Sequence, residues 1–232
     1  MLKFWYNLAP NPMKVALLLE ELELPYEPIP VDTRKGEQHT PAFRAVNPNG
    51  KVPAIEDDGV LLFDSNAILL WLADKHGRFV ATDPRSSARA ETLSWLMFIA
   101  SGIGPFSGQS VHFRYAAPEP KVYALNRYDF EAHRHWALID ERLASHPYLA
   151  GDAYGIVDMA FWGWVRLVPF ILGIENPWTQ YPNLKRLLDE INARPAVARL
   201  EALRTRHAFK TENDAEAMRA MFPQNQRLES KT

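Results

Sequence analysis

The chain has no cysteine in 232 residues. No disulfide can staple the fold, and no thiolate can ligate a metal. That absence fits a cytoplasmic protein. A surplus of positive charge is missing too. Lys and Arg number 26 against 28 Asp and Glu, for a formal charge of −2, so no net field draws the chain to nucleic acid or to a membrane. No apolar run reaches transmembrane length, and the N-terminus lacks a basic-then-apolar leader. Repeats, low-complexity segments and the H-E-x-x-H, Walker A and G-x-G-x-x-G patterns are all absent. His133 and His135 stand two apart on an expected helix, so they face away from each other and cannot chelate together. No metal is expected.

Aromatic residues, in contrast, are plentiful, and the seven Trp are read as core filling. The most informative stretch is Asn47-Pro48-Asn49-Gly50-Lys51-Val52-Pro53. Asn-Pro-Asn-Gly is turn chemistry. Val52 precedes a proline, which pushes its backbone into the extended region. Pro53 is a candidate for a cis bond. Such a Val52 presents its own N–H and C=O to whatever lies alongside. Residues 52–55 and 60–63 flank Glu56-Asp57-Asp58-Gly59 as a β-hairpin. Asp64-Ser65 then opens a helical pattern, and a Ser at a helix start, beside free N–H groups and the positive dipole end, binds a carboxylate. The implied ligand is peptide-like with a free carboxylate at one end.

The pattern changes near residue 78. Before it, strands are expected at Leu2–Tyr6, Tyr26–Val31 and in the hairpin, the second at an edge because it carries two prolines. Helices are expected at Met13–Leu22, Thr40–Val46 and Asn66–Lys75, with Gly77 closing the last. After it, strands vanish. Asp83-Pro84 reads as cap and first residue of a helix, which Gly102-Ile103-Gly104-Pro105 breaks. Further helices are expected at 121–145, from Gly155 through Val168, at 183–193 and at 196–206, with a loose polar tail after Ala208. The run Met159–Val168 is apolar nearly all round and marks a buried helix. The fold class is α/β plus all-α. Its expected parts are residues 1–78, a linker at 79–88, an all-helical part at 89–207 and a tail at 208–232.

The order of elements, the segment Asn47 to Ile55, the Asp64-Ser65 pair and the helical second half resemble the cytosolic glutathione transferase family. The resemblance spans roughly residues 1 to 206. It implies a thioredoxin-like glutathione-binding domain with a mixed four-stranded sheet, followed by a helical bundle. Ala9-Pro10-Asn11, Gly36-Glu37-Gln38, Gly102 to Pro105 with Gly108-Gln109, and Asn126-Arg127-Tyr128 leading to Arg134 resemble the bacterial nu-class disulfide-bond reductases, relatives of the Ure2-type proteins.

Glutathione is then the expected cosubstrate. Ser65 and its helix suit the γ-glutamyl carboxylate, and either Asp64 or a carboxylate from a partner subunit suits the ammonium. The Val52 backbone, held by Pro53, suits the cysteinyl amide. The resemblance places Lys51 and Gln38 at the glycyl end. Most family members stabilise the thiolate with Tyr, Ser or Cys near the first strand's end. This chain has neither Ser nor Cys there, and Ala9 stands where the nu-class has Thr. Asn11 is the best remaining donor, and Tyr6 competes with it. With no protein cysteine, disulfide reduction must use glutathione sulfur alone. The resemblance implies two glutathiones, or one oxidised glutathione, in each site, with Arg134 holding a carboxylate of the second and Gln109 and His112 lining the same pocket. Asp158 lies at the family's helical capping box, where Gly155 replaces the usual Ser or Thr. The expected activity is glutathione-dependent reduction of small disulfides. Conjugation to an electrophilic apolar substrate and non-catalytic glutathione binding are the alternatives, and a homodimer is implied.

Overall fold

A computed structural model describes residues 1–229. Residues 230–232, the end of the expected tail, lie outside the described residues. Strand β1 (Leu2–Tyr6) buries Leu2, Phe4 and Tyr6 on alternate positions. It runs parallel to β2 (Tyr26–Pro30) and antiparallel to β3 (Ala54–Asp57), which pairs with β4 (Val60–Phe63). The order β2-β1-β3-β4 leaves the proline-bearing strand at an edge, as the missing N–H groups require. Helix α1 (Pro10–Glu21) follows β1, α2 (Pro41–Val46) is capped by Thr40, and α3 (Ser65–His76) ends at Gly77 with φ 60°. This is a thioredoxin-like domain.

The second half is helical. Its elements are α4 (Ser87–Phe98), α5 (Gly104–Val111), α6 (Val122–Ser145), α7 (Ile156–Val165), α8 (Val168–Leu172), α9 (Pro182–Asn192), α10 (Pro195–Arg206), α11 (Ala215–Met221) and α12 (Gln226–Glu229). Helix α7 ends at Val165 rather than running through Val168, and a turn at Arg166-Leu167 leads into α8. It is buried as expected, and it packs against α1. That contact explains a difference in α1. An amphipathic helix buries one face, yet Met13 through Leu19 are all buried, because the sheet covers one side and α7 and α10 cover the other.

Three other elements differ from expectation. Asp83-Pro84 forms a turn, and α4 begins later, capped by the Ser86 hydroxyl. Gly102 to Pro105 does not break the helix. Residues Ile99–Ile103 widen into a π turn in which Gly104 N–H reaches Ile99 O, and this absorbs the N–H that Pro105 lacks. The tail is not loose. Asp214 caps α11, Ala217 is fully buried, and Phe222 packs on His112.

Asp158 accepts from Leu149 N–H and Gly155 N–H, both at 2.9 Å. Gly155 is there for space. A Cβ on it would lie 2.7 Å from Phe79 O, so Ser or Thr does not fit. Among the described residues no helix is long and apolar enough to cross a membrane.

Candidate active site

Strand register gathers the expected site at one end of the sheet. Trp5 pairs with Ala54, and Ala54 pairs with Phe63. The loop after β1, the Val52-Pro53 step before β3 and the Asp64-Ser65 step after β4 are therefore neighbours. Tyr6 pairs with Pro30, which brings the loop carrying Gln38 to the same end. The Val52-Pro53 bond is cis, as the sequence anticipates.

At the first turn of α1, Ala9 is the N-cap and offers no side-chain hydrogen bond. Pro10 and Pro12 have no N–H, and Met13 N–H is taken by Ala9 O at 3.2 Å. Among the described residues Asn11 alone is left with a free backbone N–H in that turn, next to its own side-chain amide. The helix begins at Pro10, slightly earlier than the sequence indicates. Trp164 of α7 donates its indole N–H to Asn11 Oδ1 at 3.1 Å. Tyr6 is not available as a competing donor. Its ring is fully buried, and its hydroxyl lies 3.3 Å from Leu203 O and 3.0 Å from His207 Nδ1.

Ser65 is the first residue of α3 rather than its cap. The cap is Asp64, whose Oδ1 accepts from Asn66 N–H at 2.9 Å and Ala67 N–H at 3.2 Å. Asp64 holds φ 68°, a conformation that non-glycine residues adopt at a cost and that recurs at ligand sites. Its Oδ2 and the Ser65 hydroxyl have no partner among the described residues. Beneath them Lys14 is 1% exposed and donates from Nζ to Asn66 Oδ1 at 2.8 Å. That bond ties the second turn of α1 to the first turn of α3. Burial pushes the Lys14 ammonium down to about 7, and the nearby Asp64 charge opposes the shift.

On the far side, Asn47 Nδ2 donates to Lys51 O, and its Oδ1 accepts from Asn49 N–H at 2.9 Å. Gly50 holds φ 62°, which disfavours any side chain, and a Cβ would crowd Gln38 O at 3.1 Å. Gln38 is buried. Its Nε2 donates to Ala220 O of α11 at 3.2 Å, while its Oε1 is a buried acceptor without a partner among the described residues. Lys51 is exposed.

The helical-domain residues divide. His112 meets the tail through Phe222 at 4.8 Å between ring centres, two residues from the Ala220 that meets Gln38. Burial pushes its imidazolium pKa down. Gln109 is exposed on α5. Arg134 donates to Glu131 Oε2 at 2.9 Å, and Arg127 donates to Oε1 of the same carboxylate at 2.7 Å. Two guanidiniums thus share one carboxylate, with one positive charge in excess. Among the described residues no hydrogen bond or ion pair joins Arg134 or Gln109 to the N-terminal loops. No group of three or more His, Asp or Glu among them converges as a metal site would.

Sequence reasoning missed Lys14, Trp164 and Arg166. Lys14 has a signal, a lone charge inside the apolar run Met13 to Leu19. Trp164 and Arg166 have none, because their partners are over 150 residues away.

The family described as glutathione S-transferase, N-terminal domain, matches residues 9–75, and glutathione S-transferase, C-terminal domain, matches residues 112–195. The disulfide-bond oxidoreductase YfcG of Escherichia coli (strain K12) is 40% identical over 210 residues, which cover 84% of this chain and 92% of that protein. The glutathione transferase URE2P6 of Phanerochaete chrysosporium, solved with oxidized glutathione, superposes with a TM-score of 0.82 at 32% identity, covering 88% and 96% of the two chains. A glutathione transferase family member from Pseudomonas fluorescens, solved with two glutathione bound, gives 0.77 at 38% identity, covering 85% and 91%.

Proposed function

This chain belongs to the glutathione S-transferase family, and we propose that it is a glutathione-dependent thiol–disulfide oxidoreductase acting on small disulfides. The observation that carries this reading is the convergence of Asn11, Val52-Pro53 and Asp64-Ser65 at one sheet end in a chain without cysteine. The reductase name of the Escherichia coli relative and the glutathione in the two solved neighbours support it.

In this reading residues 1–78 bind glutathione, 79–88 link, 89–207 form the helical domain and 208–232 the tail. Ser65 and the α3 N-terminus take the γ-glutamyl carboxylate, and Asp64 Oδ2 takes the ammonium. The backbone of Val52, set by Pro53, pairs with the cysteinyl amide. Lys51 takes the glycyl carboxylate, with Gln38 at the same end of the ligand. Asn11 donates to the sulfur. Lowering a thiol pKa by two units needs about 2.7 kcal/mol. A hydrogen bond to a charged group supplies roughly 1.5–3 kcal/mol, and a helix N-terminus about 0.3–2 kcal/mol. The sum reaches the requirement without a hydroxyl at position 9.

The bound thiolate attacks one sulfur of the disulfide, forming a mixed disulfide and expelling the other sulfur as thiolate. A second glutathione thiolate then attacks the glutathione sulfur of that mixed disulfide. Oxidised glutathione forms, the second thiolate leaves, and the two protons given up by the glutathiones end on the two product thiols. The excess charge of Arg127, Arg134 and Glu131 suits a carboxylate of the second glutathione, with Gln109 and His112 beside it. The unpaired edge β4 exposes Val60, Leu61 and Phe63 at 44–46%, and α4 exposes Met97 at 47%. These surfaces support a homodimer. Reduced glutathione as cosubstrate fits a cytoplasmic setting.

Titration calorimetry with reduced glutathione tests the site. Two equivalents per subunit are expected, whereas a single equivalent would favour a conjugating transferase.

A further inference from the structure

The end of α7 grips the turn after β1 and the start of α1, which carries Asn11, at three points. Gly163 packs so close to α1 that a Cβ would lie 2.6 Å from Pro10 O. Trp164 donates to Asn11 Oδ1 at 3.1 Å. Arg166 donates from its guanidinium to Leu8 O at 3.2 Å and from Nε to Gly163 O at 3.2 Å. Burial pushes Arg166 down to about 10, so its charge is kept in a poorly solvated place where the Leu8 carbonyl helps to hold it. A helix from one domain thus fixes both flanks of the short turn between β1 and α1 in the other.

The middle contact has a chemical consequence. A side-chain amide has two ends of similar size and opposite polarity, so its rotation decides whether it donates or accepts at a given point. An indole N–H can only donate. Trp164 therefore requires the carbonyl end of Asn11 to face it, and the NH2 end is turned to the other side. That NH2 has no partner among the described residues. Turned the other way, Asn11 would offer a carbonyl oxygen to an anionic sulfur and repel it.

We propose that Trp164 is a positioning residue, which sets the Asn11 amide so that its NH2 faces the glutathione sulfur. The proposal rests on the reading of Asn11 as the thiolate donor. Trp164 touches no reacting atom. It acts by excluding the wrong amide rotamer before glutathione arrives, so donor orientation costs little when the thiolate forms. Gly163 and Arg166 hold the distance over which that indole bond is made.

The test replaces Trp164 by Phe, which keeps an aromatic ring and removes the N–H. The readouts are the pKa of the bound glutathione thiol, from its ultraviolet thiolate absorbance, and the pH profile of turnover. A neutral hydrogen bond of ordinary worth corresponds to roughly a two- to tenfold bias. Trp164→Phe is expected to raise the bound thiol's pKa by about 0.3–1 and to shift the pH profile with it. The KM for glutathione should stay unchanged. Asn11→Ala is expected to raise the pKa further, and the double variant to match Asn11→Ala alone. If Asn11→Ala shifts the pKa and Trp164→Phe does not, the positioning role is wrong and the Asn11 reading survives. Additive shifts in the double variant also overturn it, because Trp164 would then act independently of Asn11. No shift in Asn11→Ala overturns the reading and the proposal together. Should Phe disturb packing, benzothienylalanine at position 164 repeats the measurement. It has the indole outline, with sulfur in place of the N–H.

Discussion

Lys14 sits under the site with its ammonium buried and one hydrogen bond, to Asn66. Its folded pKa of about 7 lies below the value near 10.4 of an unfolded lysine. Between those values the unfolded chain binds more protons than the folded one, so this group makes stability rise with pH. Lys14→Met removes the dependence. The difference in unfolding free energy between the native protein and the variant is expected to move in the native protein's favour from about pH 7 to pH 9.5. Its slope can reach at most about 1.4 kcal/mol per pH unit. Parallel pH profiles from chemical denaturation would show that Lys14 is solvated instead. At this scale the sequence is uneven as a guide. The cis step at Val52-Pro53 and the helix start at Asp64-Ser65 are legible because they follow from proline and helix-start chemistry within a few residues, whereas Asn11 is picked out by the family resemblance. Trp164 and Arg166 are not legible, because their partners are brought to them by the packing of α7 on α1.

Among elements, α7 joins the two domains by packing on α1, and Asp158 sets its start. The carboxyl is fully buried, and desolvation pushes it up to about 7 against the backbone N–H groups that favour its charged form. Asp158→Ala leaves Leu149 and Gly155 N–H without an acceptor, at an expected cost of about 2–5 kcal/mol in denaturant unfolding. A loss under about 0.5 kcal/mol, the scale of an ordinary surface change, would mean that other acceptors or water replace the carboxyl. The capping role was readable from the spacing of Gly155 and Asp158. The reason for glycine was not, since it lies in the approach of Phe79 O. Pro105 shows a similar limit. A proline after two glycines signals a break, yet a π turn with Gly104 N–H bonded to Ile99 O carries the chain through. The tail misled for a different reason. Its pattern is weak because α11 is short and buries Ala217, a residue that adds little to an apolar periodicity.

At the scale of the whole molecule, the two domains meet through α1 and α7. The tail runs back from α10 and reaches the loop of β2 at Asp32, Arg34 and Gln38. The domain order was legible because hydrophobic period switches from strand and helix to helix alone near residue 78. How the domains dock was not, because no local pattern encodes it. The central claim is that glutathione supplies every redox sulfur. It is tested most directly by following glutathione-dependent reduction of 2-hydroxyethyl disulfide by the purified protein. A saturable rate above uncatalysed exchange is expected from this chain without cysteine. A rate no greater than uncatalysed exchange would contradict the account and make Ala9, in place of a hydroxyl, the decisive residue.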